Sequence, residues 1–157
     1  MNRFFLLLSG CFLLLSCGKE KGKTTDDFSK QTVTEQASDP SAYDAKRGEG
    51  KFKNVEIGAG IDASLADQGD KVVGVKCLSC HKTSDEKLVG PGWKGVTERR
   101  APEWIMNFIT NPDPMIDKDP ELQAQLEICL VRMPNQAVTD DEARQILEFM
   151  RRNDAAK

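Results

Sequence analysis

The residues at positions 77–81 combine two cysteines and a histidine at a spacing that supports specific chemistry. Cys77 and Cys80 are three positions apart, and His81 follows directly. Side chains at i and i+3 lie on one face of a helical turn, so both thiols can add to the two vinyl groups on one edge of a porphyrin. His81 is then held under the ring, where its imidazole can bind the iron. The C-x-x-C-H pattern therefore predicts one covalently attached haem.

Two other uses of these cysteines fit the sequence less well. A structural zinc site needs four ligands, and downstream of residue 17 the chain offers only Cys129 outside the motif, so a carboxylate would have to complete the site. A redox-active C-x-x-C pair is expected near the end of a strand in a βαβ pattern, and no such pattern occurs here. Cys129 lies among the apolar positions of a predicted helix, which favours a buried thiol. Haem attachment is therefore the preferred interpretation.

The histidine count restricts the possible functions more than any other number. His81 is the one histidine among 157 residues, which excludes a Ser-His-Asp arrangement elsewhere in the chain and any site that needs two imidazoles. The chain is 39% apolar and 30% charged, as expected for one modest domain rather than a multi-span membrane protein. Its net charge of -3 gives no general basic excess, so nucleic acid is not an expected partner.

Residues 1–16 predict a lipoprotein signal peptide. Arg3 supplies a positive start, and residues 4–16 form a mostly apolar run that is too short to span a bilayer. Cys11 and Cys17 both end segments that resemble the lipobox of bacterial lipoproteins, in which the cysteine is lipidated and becomes the mature N-terminus. Cys17 is favoured because cleavage there uses the whole apolar run, whereas cleavage before Cys11 leaves only residues 4–8. The further alternative is ordinary secretion without a lipid.

Residues 17–58 predict a lipidated N-terminus followed by a flexible tether. Lys, Glu, Thr, Ser, Asp and Gly predominate, with few large apolar residues and no sustained period. About 40 flexible residues have a root-mean-square reach of roughly 35 Å, so a domain at residues 59–157 would sample a wide shell above a membrane. A plain spacer fits the same composition. Residues 48–61, where Phe52 and Val55 stand among polar residues, could instead form an extended arm laid on the domain.

Four helices are predicted around the motif, and they imply an all-α fold. They begin near Asp62 or Ser64, at Pro102, at Glu121 and at Thr139. The first leads straight into Cys77, which places the motif at a helix C-terminus. The second is stopped by the pair Asn111 and Pro112. The last has a capping box made by Thr139 and Glu142 and carries an apolar stripe at helical spacing.

Two segments downstream of the motif resemble class I cytochromes c. Residues 89–96, V-G-P-G-W-K-G-V, are similar to the G-P-x-L-x-G-V segment of that family. Residues 132–135 and the following capping box are similar to its Met-Pro loop and final helix. The resemblance covers about residues 60–153 and implies a small helical fold around one covalent haem c. It also implies that Gly69 of the first helix lets Phe149 of the last helix pack closely.

The resemblance further implies the roles of three site residues. The Pro91 carbonyl is expected to accept the second N–H of His81, which orients the ring and makes the ligand more basic. Methionine is the natural second axial ligand, and Met115 and Met133 both lie in loop-like contexts. The resemblance to the Met-Pro loop selects Met133. The further alternative is an iron whose second axial position is open or bound by an external ligand. Trp93 departs from the family, which usually has Leu against the haem, so the indole either covers the ring or turns outward.

The function implied by the resemblance is that of a single-electron carrier rather than an enzyme. With His81 and Met133 both bound, the iron has no vacant position for substrate, and an axial methionine favours a relatively high reduction potential. Residues 98–107, the loop that contains Asn111 and Pro112, and the tail at residues 133–151 also resemble monohaem cytochromes associated with nitrous-oxide reductase in some Gram-negative bacteria. The expected partners are a quinol-oxidising complex and either nitrous-oxide reductase or a terminal oxidase, with the protein lipid-anchored to a membrane and facing the periplasm. The alternative is a haem-based sensor or small-ligand binder, which needs a weak or absent Met133 bond.

Overall fold

The structure is a computed structural model that describes residues 43–156, and this part of the chain is helical. It contains no β-strand, and the predicted all-α class is confirmed. The helices are α1 Ala63–Lys76, α2 Val96–Arg99, α3 Pro102–Thr110, α4 Pro112–Lys118, α5 Pro120–Cys129 and α6 Asp140–Ala155. Within residues 43–156, none of them has the length and apolar character that crossing a membrane requires.

The capping residues seen in the sequence start the first and last helices. Of the two candidates at α1, Asp62 is the cap, and its carboxylate accepts the N–H of Leu65 at 3.0 Å. At α6 the capping box is complete: the Glu142 N–H donates to the Thr139 hydroxyl at 3.2 Å, and the Thr139 N–H donates to the Glu142 carboxylate at 2.8 Å. These bonds satisfy backbone donors that a first helical turn leaves without partners.

Two short helices, α2 and α4, were not predicted. Pro112 ends α3 but also occupies the first position of α4, where a missing N–H and a fixed φ are tolerated. Met115 is therefore helical and fully buried, and the loop-like context predicted for it is wrong. Gly95 precedes α2 in the left-handed region, with φ of 74°, a conformation that glycine adopts readily.

The crossing of α1 with α6 depends on Gly69. A Cβ atom at this position would lie 2.1 Å from the backbone oxygen of Gln145 and 2.9 Å from the Cβ of Phe149. Both distances are far below van der Waals contact, so glycine is what allows the two helices to approach. The predicted pairing of Gly69 with Phe149 is present in the structure.

Gly69→Ala is expected to destabilise the protein by about 3 kcal/mol, because the added methyl group pushes α1 away from the α6 backbone. Gly74→Ala is the matched control on the same helix, since a Cβ there meets nothing within 4 Å. The better helix propensity of alanine should make that control more stable by up to about 1 kcal/mol. Denaturant unfolding of the haem-loaded proteins measures both changes. Equal effects at the two positions would contradict the role assigned to Gly69.

An N-terminal arm, residues 43–58, lies against α3 and α4. The side-chain amide of Asn107, which is 1% exposed, accepts the Phe52 N–H at 2.9 Å and donates to the Phe52 carbonyl at 2.9 Å. The Glu103 carboxylate accepts the Val55 N–H at 2.8 Å. The Phe52 and Val55 side chains pack against the hydrophobic core. The arm is therefore held both by its backbone and by its apolar residues.

The start of the arm is held by Tyr43. Its hydroxyl donates to the Asp119 carboxylate at 2.6 Å, and the Trp104 indole N–H donates to the same oxygen at 3.3 Å. Asp119 is 2% exposed and also caps α5 by accepting the Glu121 N–H at 2.8 Å. Burial by itself would raise the pKa of Asp119, but these hydrogen bonds outweigh burial and hold the pKa below its usual value. Asp119 therefore remains a carboxylate that links the arm, α3 and α5.

Residues on the N-terminal side of the predicted domain boundary at residue 59 also pack on the helices. Residues 43–58 were predicted as part of the tether, with an extended arm at residues 48–61 as the alternative, and the contacts of Phe52 and Val55 with α3 agree with that arm. The groups that bind them, in Glu103, Asn107 and Asp119, are 48 to 76 residues further along the chain. Composition and periodicity do not reveal such distant partners. The predicted tether is left with residues 17–42, which lie, like the predicted signal segment 1–16, outside the described residues.

Candidate functional site

The two motif cysteines lie in a tight turn at the C-terminal end of α1. The Cys77 N–H bonds the Val73 carbonyl at 2.9 Å and ends the helix. The N–H groups of Cys80 and His81 then both donate to the Cys77 carbonyl at 3.0 Å. This turn brings Cys77, Cys80 and His81 to the wall of one cavity. The C-x-x-C-H residues thus stand together as attachment of a porphyrin edge requires.

His81 is oriented by the segment that follows the motif. Its Nδ1 atom lies 2.8 Å from the Pro91 carbonyl oxygen, the contact that the family resemblance implies. Burial lowers the pKa of His81, and the hydrogen bond to Pro91 offsets part of this shift. The ring is therefore neutral at neutral pH, with its proton on Nδ1 donated to Pro91 and the Nε2 lone pair left for iron.

Gly90 is a site residue whose role the sequence did not reveal. A Cβ atom on Gly90 would lie 2.4 Å from Cε1 of His81, so the imidazole packs directly on the Gly90 backbone. The Gly90 N–H also donates to the Cys80 carbonyl at 2.8 Å, which ties this segment to the attachment turn. The one available signal was its position immediately before Pro91.

Trp93 faces the interior of the site. Its side chain is 7% exposed, and its ring centroid lies 5.2 Å from that of His81 with the two planes inclined by 31°. The structure therefore excludes the outward orientation that was one of the two predicted alternatives. Behind Trp93, Asp154 of α6 accepts the N–H groups of Gly95 and Thr97 at 2.7 and 2.8 Å, which fixes the segment that carries the indole.

An apolar crevice of three adjoining cavities surrounds the attachment turn. The cavities have volumes of about 850, 610 and 450 Å³, and His81 and Met133 line all three. The smallest is lined in addition by Cys77 and Cys80. The crevice thus offers two thiols at one edge and an imidazole and a thioether on its walls. These are the groups that a covalently bound haem with two axial ligands requires. The residues present therefore fit haem c.

Met115, the other methionine considered as a ligand, lies elsewhere. It is fully buried beneath the arm, where a Cβ on Gly48 would come within 2.9 Å of its sulfur and 3.3 Å of the Trp104 ring. It does not line any of the three cavities that contain His81. Of the two candidates, Met133 is the methionine that the fold brings to the histidine.

The two alternative uses of the cysteines find no support in the site. Burial raises the pKa of Cys77 to about 11, whereas redox-active thiols have a lowered pKa. Within residues 43–156, no three His, Cys, Asp or Glu side chains are grouped so that they could hold a metal ion. Cys129 is a half-buried free thiol on the wall of the 610 Å³ cavity, near the Gln125 amide.

Helices packed around an apolar crevice, with two thiols and an oriented imidazole at one edge, define a c-type haem protein. A sequence profile of the cytochrome c family matches residues 66–154, which is more than half of the chain. The chain therefore belongs to the cytochrome c family, and the predicted covalent haem c is confirmed. Members of this family generally carry electrons rather than act as enzymes.

Solved structures of cytochrome c from Rhodothermus marinus are similar to this chain. One is 36% identical with a TM-score of 0.66, over 69% of this chain and 92% of that protein. An engineered form, Rma TDE, is 36% identical with a TM-score of 0.63, over 67% and 90% of the two chains. The same engineered protein bound to a carbene intermediate gives a TM-score of 0.61 at 36% identity and the same coverage. Comparison with curated proteins gave no match.

Proposed function

We propose that this cytochrome c is a membrane-anchored carrier of single electrons between respiratory redox complexes, with His81 and Met133 as the axial ligands of its haem. The observation that supports this is that both side chains line every part of the same apolar crevice. When bound, the haem iron supplies the reversible exchange of one electron. With both His81 and Met133 holding the iron, no position would be open to a substrate or signal molecule, which favours a carrier over a haem-based sensor.

The protein's own contribution is orientation and exclusion of water. Pro91 keeps the proton of His81 on Nδ1, so the imidazole binds as a neutral ligand. Trp93, Phe108 and Leu122 supply apolar walls to the largest cavity. A low-dielectric surrounding and a thioether ligand both disfavour the more highly charged oxidised iron, so the reduction potential is expected to be relatively high.

The crevice opens towards solvent close to the attachment turn. Val89 and Val131 line the 610 Å³ cavity together with Cys80, and they are 36% and 54% exposed. We infer that electrons enter and leave at this opening, since a partner that contacts Val89 and Val131 comes nearest to the cavity that His81 lines.

The proposed donor is a quinol-oxidising complex, and the proposed acceptor is nitrous-oxide reductase, with a terminal oxidase as the competing acceptor. The resemblance of residues 98–107 and 133–151 to cytochromes associated with nitrous-oxide reductase supports this choice. Stopped-flow mixing of the reduced protein with each purified acceptor tests it. Fast oxidation by nitrous-oxide reductase is expected; oxidation by the oxidase alone would reassign the acceptor, and oxidation by neither would remove both proposals.

The proposed anchor is a lipid on Cys17, which would hold the domain on a cell membrane of a Gram-negative bacterium, facing the periplasm. Cys17→Ala, made with a signal that still permits export, is expected to release a haem-loaded protein into the soluble periplasmic fraction. Cys11→Ala is the matched control and should leave the protein in the membrane fraction. The reverse pattern, a soluble Cys11→Ala variant and a membrane-bound Cys17→Ala variant, would assign the lipid to Cys11.

A further inference from the structure

Met133 lies in the loop that connects α5 with α6, so no helix fixes its position. The chain leaves α5 through Leu130, which adopts the left-handed region with φ of 60°. The loop regains regular structure only at Asp140, the first residue of α6. Where Met133 lies therefore depends on side-chain contacts made by its neighbours in the loop.

The residue before Met133 fastens this loop to α4. The Arg132 guanidinium donates from Nε to the Asp113 carboxylate at 2.7 Å and from Nη2 to the Asp113 carbonyl at 3.0 Å. The same Nη2 donates to the Asp117 carboxylate at 2.8 Å. A planar guanidinium can make such a set of bonds at once because its donors have a fixed relative geometry. Arg132 thereby holds two residues one helical turn apart.

The helix that receives Arg132 is itself firmly packed. Met115 and Ile116, which lie between Asp113 and Asp117 in α4, are 0% and 5% exposed. The acceptors of Arg132 are thus on the outer face of a helix whose inner face is in the core. The hydrogen bonds of Arg132 therefore attach the loop to a helix that is packed into the core.

The contacts on the other side of Met133 are more distant from it. The Ala137 N–H donates to the Asn135 side-chain oxygen at 2.8 Å, and the Lys76 ammonium reaches the Ala137 carbonyl at 3.3 Å. Ala137 is four positions after Met133, whereas Arg132 is directly adjacent. The restraint nearest to the thioether therefore comes from Arg132.

We propose that Arg132 is a positioning residue for Met133, and that it keeps the thioether in the crevice by clamping the adjacent backbone onto α4. This inference rests on the proposed role of Met133 as axial ligand. An external ligand can reach the iron only in molecules whose Met133 has left it, so its apparent affinity is the intrinsic affinity multiplied by the open fraction. Arg132 lowers that open fraction through the Met133 loop, and its side chain also lines the 610 Å³ cavity of the crevice.

Titration of the ferric, haem-loaded protein with imidazole measures the open fraction. Arg132→Gln is expected to raise the apparent imidazole affinity about tenfold, because charge-assisted hydrogen bonds at a partly exposed site are lost. Arg132→Lys should raise the apparent imidazole affinity by less than Arg132→Gln does. The lysine ammonium keeps the positive charge but cannot make the same set of hydrogen bonds as the planar guanidinium. The reduction potential of Arg132→Gln should fall in parallel as the methionine-bound fraction decreases.

Arg152→Gln is the matched control variant. Arg152 is 35% exposed against 39% for Arg132, donates to the Asp67 carboxylate at 2.5 Å and also reaches the Ala66 carbonyl at 3.2 Å. These contacts join α6 to α1 and do not involve the Met133 loop. Its loss should leave the imidazole affinity unchanged. An equal rise for Arg132→Gln and Arg152→Gln would overturn the proposal.

A double-mutant cycle separates positioning from a general effect on the fold. In a Met133→Ala background no methionine has to leave, so Arg132→Gln should no longer change the imidazole affinity. A rise of equal size in both backgrounds would show that Arg132 acts through the fold. If Met133→Ala raises the imidazole affinity and Arg132→Gln does not, the positioning role of Arg132 is wrong while the role of Met133 as ligand stands. If Met133→Ala leaves the affinity unchanged, the proposed ligand itself is wrong.

Discussion

Met133→Ala is expected to keep the haem covalently attached while opening one axial position of the iron. Attachment needs only Cys77, Cys80 and His81, and the backbone hydrogen bonds of their turn run to Val73, Val89 and Gly90 rather than to the Met133 loop. Loss of the thioether should abolish the sulfur-to-iron absorption band and allow the reduced protein to bind carbon monoxide. The reduction potential should fall by on the order of 0.2 V, part of the range over which axial ligands tune haem.

The control for this experiment is Met115→Leu, a substitution that nearly conserves volume. Met115 is fully buried beneath the arm and away from the cavities that His81 lines, so its replacement should leave the band and the potential in place. The ligand assignment is refuted if Met115→Leu loses the band while Met133→Ala retains it.

The double variant Cys77→Ala with Cys80→Ala is expected to lose covalent haem and most of its stability. Both thiols line the 450 Å³ cavity, and each forms one of the two links to the porphyrin edge. The crevice walls, including Trp93 and Met150, then lack the apolar group against which they pack. A domain of this size has a small core, so losing a partner of haem size should cost at least as much as a large core truncation, about 3–5 kcal/mol.

Denaturing electrophoresis with a haem peroxidase stain measures attachment, and thermal unfolding measures the stability. Cys129→Ala is the matched control because Cys129 lines the 610 Å³ cavity of the same crevice but lies outside the motif. This control should stain like the unaltered protein. Retained stain in the double variant, or its loss in Cys129→Ala, would place the thioether links on other residues than the motif cysteines.

Features that depend on residues close together in sequence were predictable without the tertiary structure. The two motif cysteines and His81 form one turn, and their spacing is enough to indicate haem attachment. The capping box of Thr139 with Glu142 spans three positions and forms as expected. The family resemblance added contacts that span longer distances, such as the bond from His81 to Pro91 and the packing of Phe149 on Gly69.

Features that depend on distant partners were decided only by the tertiary structure. Residues 43–58 have the composition of a tether, and the sequence offered an arm at residues 48–61 only as an alternative. They lie on the domain because Asn107 and Asp119 supply hydrogen-bonding partners for this arm. The inward orientation of Trp93 is likewise a matter of packing, since the buried indole lies against the ring of His81.

The sequence by itself determined the chemistry of this protein: a C-x-x-C-H turn commits it to covalent haem, and a single histidine leaves methionine as the natural second ligand. The Met-Pro resemblance pointed to Met133, but the sequence did not show that Met115 is helical or which contacts the Met133 loop makes. The structure shows both: Met115 is buried in α4, and Arg132 ties the Met133 loop to the same helix. The physical reason is that covalent and capping chemistry act within one helical turn, whereas the position of a loop is set by partners that only folding brings together.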